Sequence, residues 1–278
     1  MQRYFHWLAL LLCALTSLPA AAATFGTIDA TSGQAVVVAA DGRSRPVTAG
    51  TTIAVGERIE TGRDGEVHVV TVDDGFVAVR PDSQLRADAY QATGADDDNV
   101  AMTLLKGALR SITGWIGKRK PTAYKLATTT ATIGIRGTDH EVTLVETADG
   151  TAGTYLAVSE GEAVLTAQGG EGVAVPAGKL AFAARDGKLP ARLLDRLPAF
   201  LERKGLALDG RIAERKRALL DKIRERIEQR RDAASDADDD AADDADDANA
   251  TPDERRARER RRALTREMKK RLRERRPN

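Results

Sequence analysis

Between Thr27 and about Lys188 the apolar residues come in short runs of four to eight, the length of half-buried strands. Gln34 to Ala40, Glu66 to Val72, Phe76 to Arg80, Glu141 to Val145, Tyr155 to Ser159 and Ala163 to Ala167 are examples. Asp-Gly pairs punctuate them at 41–42, 64–65, 74–75, 149–150 and 186–187. Both residues tolerate positive φ, so these pairs favour tight turns. Many short strands with turn signals every ten or so residues predict a β-sandwich or barrel. A β-solenoid fits the same pattern, although no strict repeat period is visible. About 165 residues are enough for one real core, and the β domain is read as 24–189, folding without the rest of the chain.

The pattern changes at Leu189. Leu193, Leu194, Leu197, Phe200 and Leu201 fall at three- and four-residue steps, and Ile212, Leu219, Leu220, Ile223 and Ile227 continue the spacing among Arg, Lys and Glu. This predicts an amphipathic helical segment over 190–231, lying on the β domain or pairing with another helix. Residues 232–250 are almost only Asp and Ala. Like charges repel and little apolar surface is on offer, so an acidic, disordered linker is expected there. Residues 251–278 are dominated by arginine, with Thr251 placed as an N-cap, and read as a basic, helical tail.

The densest local signal is Thr128 to Thr138, TTTATIGIRGT, rich in β-branched residues and interrupted by Gly134 and Gly137 around Arg136. Glycine inside a strand marks a bulge, a bend or a close backbone approach. With TGWIGK, the tyrosine of PTAYKLAT and ATIGIRGT, the string from Thr113 to Val142 resembles the signature of the FecR domain family. The resemblance extends from about 26 to 190, through GERIETG and DGFVAVRPDS upstream and GTYLAVSEGEAVL and VAVPAGKLAF downstream. It implies a jelly-roll-like β-sandwich, followed here by the charged α-helical extension. It also implies a role in periplasmic signal sensing or relay by contact with another envelope protein. His140 departs from the family pattern, which has a large apolar residue at that position. The membrane-spanning regulators of the family carry a cytoplasmic segment before their membrane helix. None is seen in this chain, so direct contact with a sigma factor is not expected.

The first residues read as an export signal. Arg3 supplies the positive start, Leu8 to Leu18 a short apolar run, and Ala21-Ala22-Ala23 a cleavage site. The run is well short of the ~20 apolar residues of a spanning helix. A signal peptide over 1–23 and a periplasmic location follow, with no transmembrane segment after cleavage. The single cysteine, Cys13, lies in that run, so stability must come from core burial without disulfides. The net charge of +1 hides segregation of acidic and basic blocks toward the C-terminus.

No constellation for enzymatic chemistry assembles. No nucleophile elbow, HExxH, P-loop or dinucleotide fingerprint appears. His68 and His140 without nearby cysteines make a poor zinc site, and the Asp-Ala run lacks the glycine turns of a calcium loop. The chain is therefore read as a non-enzymatic binding protein without cofactors. The candidate partner-binding residues are Arg136, Lys118, Arg119, Lys120, Trp115 and Tyr124. Arg136 either pairs internally with a carboxylate, the favoured reading, or offers its planar fork to a partner. Lys118, Arg119 and Lys120 read as an exposed basic loop, and Trp115 and Tyr124 flank it as an interaction face or as core. Export argues against nucleic acid. Anionic lipid or envelope polymer contact through the C-terminal tail is the alternative to protein binding.

Overall fold

The computed structural model describes residues 22–147, 151–201 and 208–247, with side chains of the last stretch described to 229, and the isolated positions 251, 253 and 260. The expected signal peptide and basic tail lie almost wholly outside these residues, as does the Asp149-Gly150 turn. The fold is mainly β, as expected. In chain order come β1 (Thr24–Ser32), β2 (Ala35–Val38), β3 (Ser44–Pro46), β4 (Thr52–Ala54), β5 (Arg58–Thr61), β6 (Glu66–Thr71), β7 (Phe76–Val79) and β8 (Gln84–Gln91). Then follow β9 (Asn99–Ile112), the short helix α1 (Trp115–Arg119), β10 (Tyr124–Thr128), β11 (Ala131–Val145) and β12 (Gly153–Ala167). The chain continues with β13 (Gly172–Pro176), β14 (Leu180–Ala184), β15 (Arg192–Leu194) and the long helix α2 (Asp209–Asp247).

The fifteen strands of the described residues join one open, mixed sheet with the central order β15-β14-β12-β11-β10-β9-β7-β6-β1-β4. The described pairings are antiparallel apart from β9 with β10. That excludes the solenoid, whose successive coils stack in parallel. The sheet bends around one apolar core that draws on Phe25, Ile28, Leu85, Met102, Leu104, Leu126, Ile133, Leu156 and Leu165.

Three long strands make the bend. β9 pairs β8 and β10 with its first part, then β7 and β11 after Gly107. The two β-rich runs on either side of Gly137 fuse into the single strand β11, and those on either side of Gly161 fuse into β12. The β11–β12 register shifts between Arg136 and Asp139, the mark of a bulge that turns a strand. Gly137 and Gly161 have φ of +59° and +76°, and a Cβ on Gly161 would stand 2.3 Å from the Gly137 carbonyl oxygen. Only glycine combines that φ with that approach. Gly134, by contrast, has open space on its side-chain face and is an ordinary strand position.

The segment after Lys188 differs from the expected amphipathic helix. Pro190 and Pro198 disfavour helix at and before their positions. Leu194 pairs with Leu180 in β15–β14, and a 3-10 turn occupies Ala199–Leu201. This strap crosses the outer face of β11, β12 and β14 over a cavity of about 210 Å³ lined by Tyr155, Leu180, Leu194, Leu197 and Leu201. Among the described residues the long helix spans Asp209–Asp247, and its backbone crosses the run expected to be disordered. The alanines there are the strongest helix formers.

The described residues divide into a first compact unit that ends at Ile223 and a second that begins at Arg224. Within the first unit, Ile212 and Leu219 close over Phe76, Ala78 and Ile112 on the outer face of the sheet, and Ile223 and Ala191 join the main core. The C-terminal segment up to Ile223 is thus a covering layer of the β domain. Among the described residues, no helix is long and apolar enough to cross a membrane.

The bend can be tested in melting experiments. Gly161→Ala should lose several kcal/mol, since positive φ and a backbone clash act together. Gly137→Ala should lose about 1 kcal/mol for its φ alone. Gly134→Ala should melt at or above the parent temperature, because alanine costs less backbone entropy in an unobstructed strand.

Candidate functional site

The signature segment is built around the turn from β9 into α1. Trp115 N–H donates to the Asp73 carbonyl at 3.0 Å. The turn needs Gly114, because a Cβ there would meet the Asp73 carboxylate and carbonyl at 2.3 Å. This anchoring drives Trp115 inward, to 4% exposure, and Tyr124 likewise, to 3%. The Tyr124 hydroxyl meets Ser111 Oγ at 2.9 Å, and burial pushes its pKa up. The two aromatics are therefore core, not an interaction face.

Lys118, Arg119 and Lys120 are exposed, as expected, but the first two end α1 and the last two are tied to a neighbouring loop. Arg119 donates to the carbonyls of Gly94 at 2.7 Å and Ala95 at 2.6 Å and to Asp98 Oδ2 at 2.9 Å. Its guanidinium stands 5.2 Å from the Trp115 ring centre. Lys120 Nζ donates to the Asp96 carbonyl at 2.7 Å. Burial pushes the Asp98 carboxyl up, but hydrogen bonds from Thr93 and Gly94 and the charge of Arg119 outweigh it and hold the group below the usual carboxylate range. Arg119 and Lys120 thus clamp the β8–β9 loop. Their sequence neighbours gave no hint of this, because the acceptors are mostly backbone carbonyls more than twenty residues away.

Arg136 is exposed on β11. Strand alternation decides this: Ile133 and Ile135 enter the core, so Gly134 and Arg136 face out. The favoured internal pair is corrected accordingly, and the cross-strand neighbour of Arg136 is the equally exposed Glu162. Lys125 on β10 is exposed and in register with Gly134, so it shares this face. Lys118 comes alongside, since a Cβ on Gly137 would lie 3.4 Å from its Cγ. Of the six candidates, the structure leaves Arg136 at the surface with Lys118 beside the adjoining Gly137, and adds Lys125 on the Arg136 face. It assigns Arg119 and Lys120 to the loop clamp, and Trp115 and Tyr124 to the interior.

The sequence reading missed a set of buried charges beneath α2. Glu66 Oε1 accepts from His68 Nε2 at 2.9 Å and from Arg80 Nη1 at 2.8 Å, and Arg80 reaches Asp209 at 2.7 Å. Asp139 accepts a fork from Arg110 at 2.9 and 2.8 Å and a bond from Lys216 at 2.7 Å. Arg215 forks onto Asp29. Burial pushes the carboxyls of Glu66 and Asp139 up, yet their cationic and hydrogen-bonding partners prevail and keep both below the usual range. These ionised carboxylates are spent on holding the helix. Among the described residues, no group of three His, Cys, Asp or Glu side chains could hold a metal ion. The legible signal was Arg215-Lys216 on an otherwise apolar helix face.

His140 occupies a fully buried position. Nδ1 meets Thr138 Oγ1 at 2.8 Å, and Nε2 is buried without a hydrogen-bond partner among the described residues. Burial lowers its pKa from 6.5 to about 4, with Asp139 opposing. The unfolded chain takes up this proton below 6.5 and the folded chain only near 4. Stability is therefore fully present above 6.5 and falls as pH drops through the window, by up to about 1.4 kcal/mol per unit. Urea melts at pH 7, 6 and 5 should show this decline, and His140→Leu should flatten it. An unchanged slope in the variant would assign the effect to other groups.

Comparison with known proteins covers the same ground. Residues 57–164 match the family model described as FecR protein, a narrower window than the resemblance from 26 to 190. Among solved structures, a cell surface anchoring domain is 31% identical, covering 22% of this chain and 80% of its own length, with a TM-score of 0.22. Two crystal structures of a candidate anti-sigma factor from Parabacteroides distasonis are 12% and 13% identical, with TM-scores of 0.40 and 0.37. The match covers 50% of this chain and 60% of the Parabacteroides protein. No curated protein matches. With the signature strand and its turn inside the matched window, residues 57–164 carry a FecR domain.

Proposed function

We propose that this is a non-enzymatic relay protein of the periplasm that binds another envelope protein through the ledge of Lys118, Lys125 and Arg136. The FecR family supports sensing or relay as the class of function. The observation that carries the binding reading is the outward placement of Arg136. The bulge at Gly137 fixes its backbone, and β11 presents it beside the open face of Gly134. A guanidinium on a rigid strand loses little freedom on contact and presents a planar fork suited to carboxylates. Glu162 opposite supplies the local countercharge that a partner carboxylate would displace or share.

Arg136→Glu separates this reading from a purely structural one. An exposed charge contributes under about 1 kcal/mol to stability, so the melt should hardly move. Crosslinking capture of the envelope partner should fall at least several-fold, mainly through slower association. Arg119→Ala is the contrasting variant. It leaves the buried Asp98 without its cation and should lower the melting temperature, with about 1–3 kcal/mol lost. Capture unchanged in Arg136→Glu would move the partner face elsewhere.

A further inference from the structure

The strap after β14 carries a pattern that the relay reading does not use. Lys188-Leu189, Arg192-Leu193 and Arg196-Leu197 repeat a basic residue followed by leucine at four-residue steps, and Phe200 follows. The leucines are 63%, 46% and 40% exposed and Phe200 is 53% exposed. Lys188, Arg192 and Arg196 are exposed with them. This display is not slack chain. Ala191 is 4% exposed, and β15 is hydrogen-bonded to β14 through Leu194–Leu180, Leu193–Ala181 and Arg192–Phe182. Phe200 stacks edge-on to Tyr155 at 5.7 Å. Phe200 and Leu197 thus lie over Tyr155 and the cavity and anchor the strap, and Leu189 and Leu193 are left as large apolar groups in water.

Large apolar groups held in water on an anchored strap mark a candidate docking edge, and the chemistry of their neighbours selects the occupant. The cores of protein interfaces are depleted in charged residues, lysine above all. Here each exposed leucine is preceded by a cation. Leucine for the acyl boundary, with Lys and Arg for head groups, is a combination that an anionic bilayer surface binds. Weak apolar insertion and weak charge attraction become useful together, since one signal alone gives marginal, reversible attachment. Long basic side chains can also lie flat while their heads reach phosphate.

We infer that the 188–200 strap is a membrane-docking edge, which seats the FecR domain on an anionic lipid surface by inserting Leu189 and Leu193 between Lys188, Arg192 and Arg196. This contact is separate from the arginine-rich C-terminal segment and independent of the Arg136 ledge.

The test uses the full mature chain and vesicles of phosphatidylglycerol with phosphatidylethanolamine, against phosphatidylcholine alone. Leu193→Trp serves as a depth probe. Its emission should shift to the blue on anionic vesicles and be quenched by brominated acyl chains. Leu189→Ser with Leu193→Ser, and separately Lys188→Glu with Arg196→Glu, should each reduce co-sedimentation at least tenfold while the thermal melt stays within a few degrees of the parent. Arg192 is left intact because its guanidinium lies over Phe182 at 5.7 Å. Co-sedimentation unaffected by the leucine changes would assign vesicle capture to the C-terminal arginines and overturn the inference. Emission from the Leu193→Trp variant that is blind to vesicles but shifts with an envelope protein would also overturn it, and would make the strap a protein interface.

Discussion

The close crossing of β11 and β12 at Gly137 and Gly161 is the constraint on which the architecture depends. A single sheet cannot enclose a core unless its strands bend, and bending without losing pairing requires backbone that no other residue can adopt. The crossing lets each long strand serve two parts of the sheet. It also sets the orientation of the residues beside it. Arg136 and Asp139, three residues apart, both leave the main core because a bulge stands between them, and Asp139 is then covered by α2.

The second organising fact is the covering layer. Glu66, His68, Arg80 and Asp139 would be an unfavourable set on an apolar sheet face if left uncompensated, since a buried charge without a partner costs several kcal/mol. Helix α2 brings Asp209, Arg215 and Lys216 to that face and packs Ile212 and Leu219 against Phe76 and Ile112. Specificity and burial are thus combined in one contact. The FecR match ends before this layer, so the match alone understates the folding unit of this chain.

The same logic separates two kinds of basic residue. Arg119 and Lys120 look like a recognition loop in sequence, but they satisfy carbonyls of a neighbouring hairpin. Lys125 and Arg136 are carried outward by paired strands, whose ladders already satisfy the backbone around them. Charge in a loop commonly closes the loop, while charge held out from a strand is available to a partner.

The β class, the strand runs, the family and the importance of the glycine-framed strand were all legible in one dimension. They rest on local properties: side-chain period, β-branching and turn chemistry. The reading of 190–201 as helix failed because leucines at helical spacing say nothing about a sheet edge waiting for a strand, and prolines were the only local warning. β11 and β12 were divided into shorter strands because a glycine bend and a strand end look alike along the chain. The exposure of Arg136, the carbonyls that Arg119 reaches and the acids beneath Arg215 and Lys216 emerge only on folding. Those answers depend on residues up to 186 positions apart in the chain. No local pattern encodes that distance; the folded sheet supplies it.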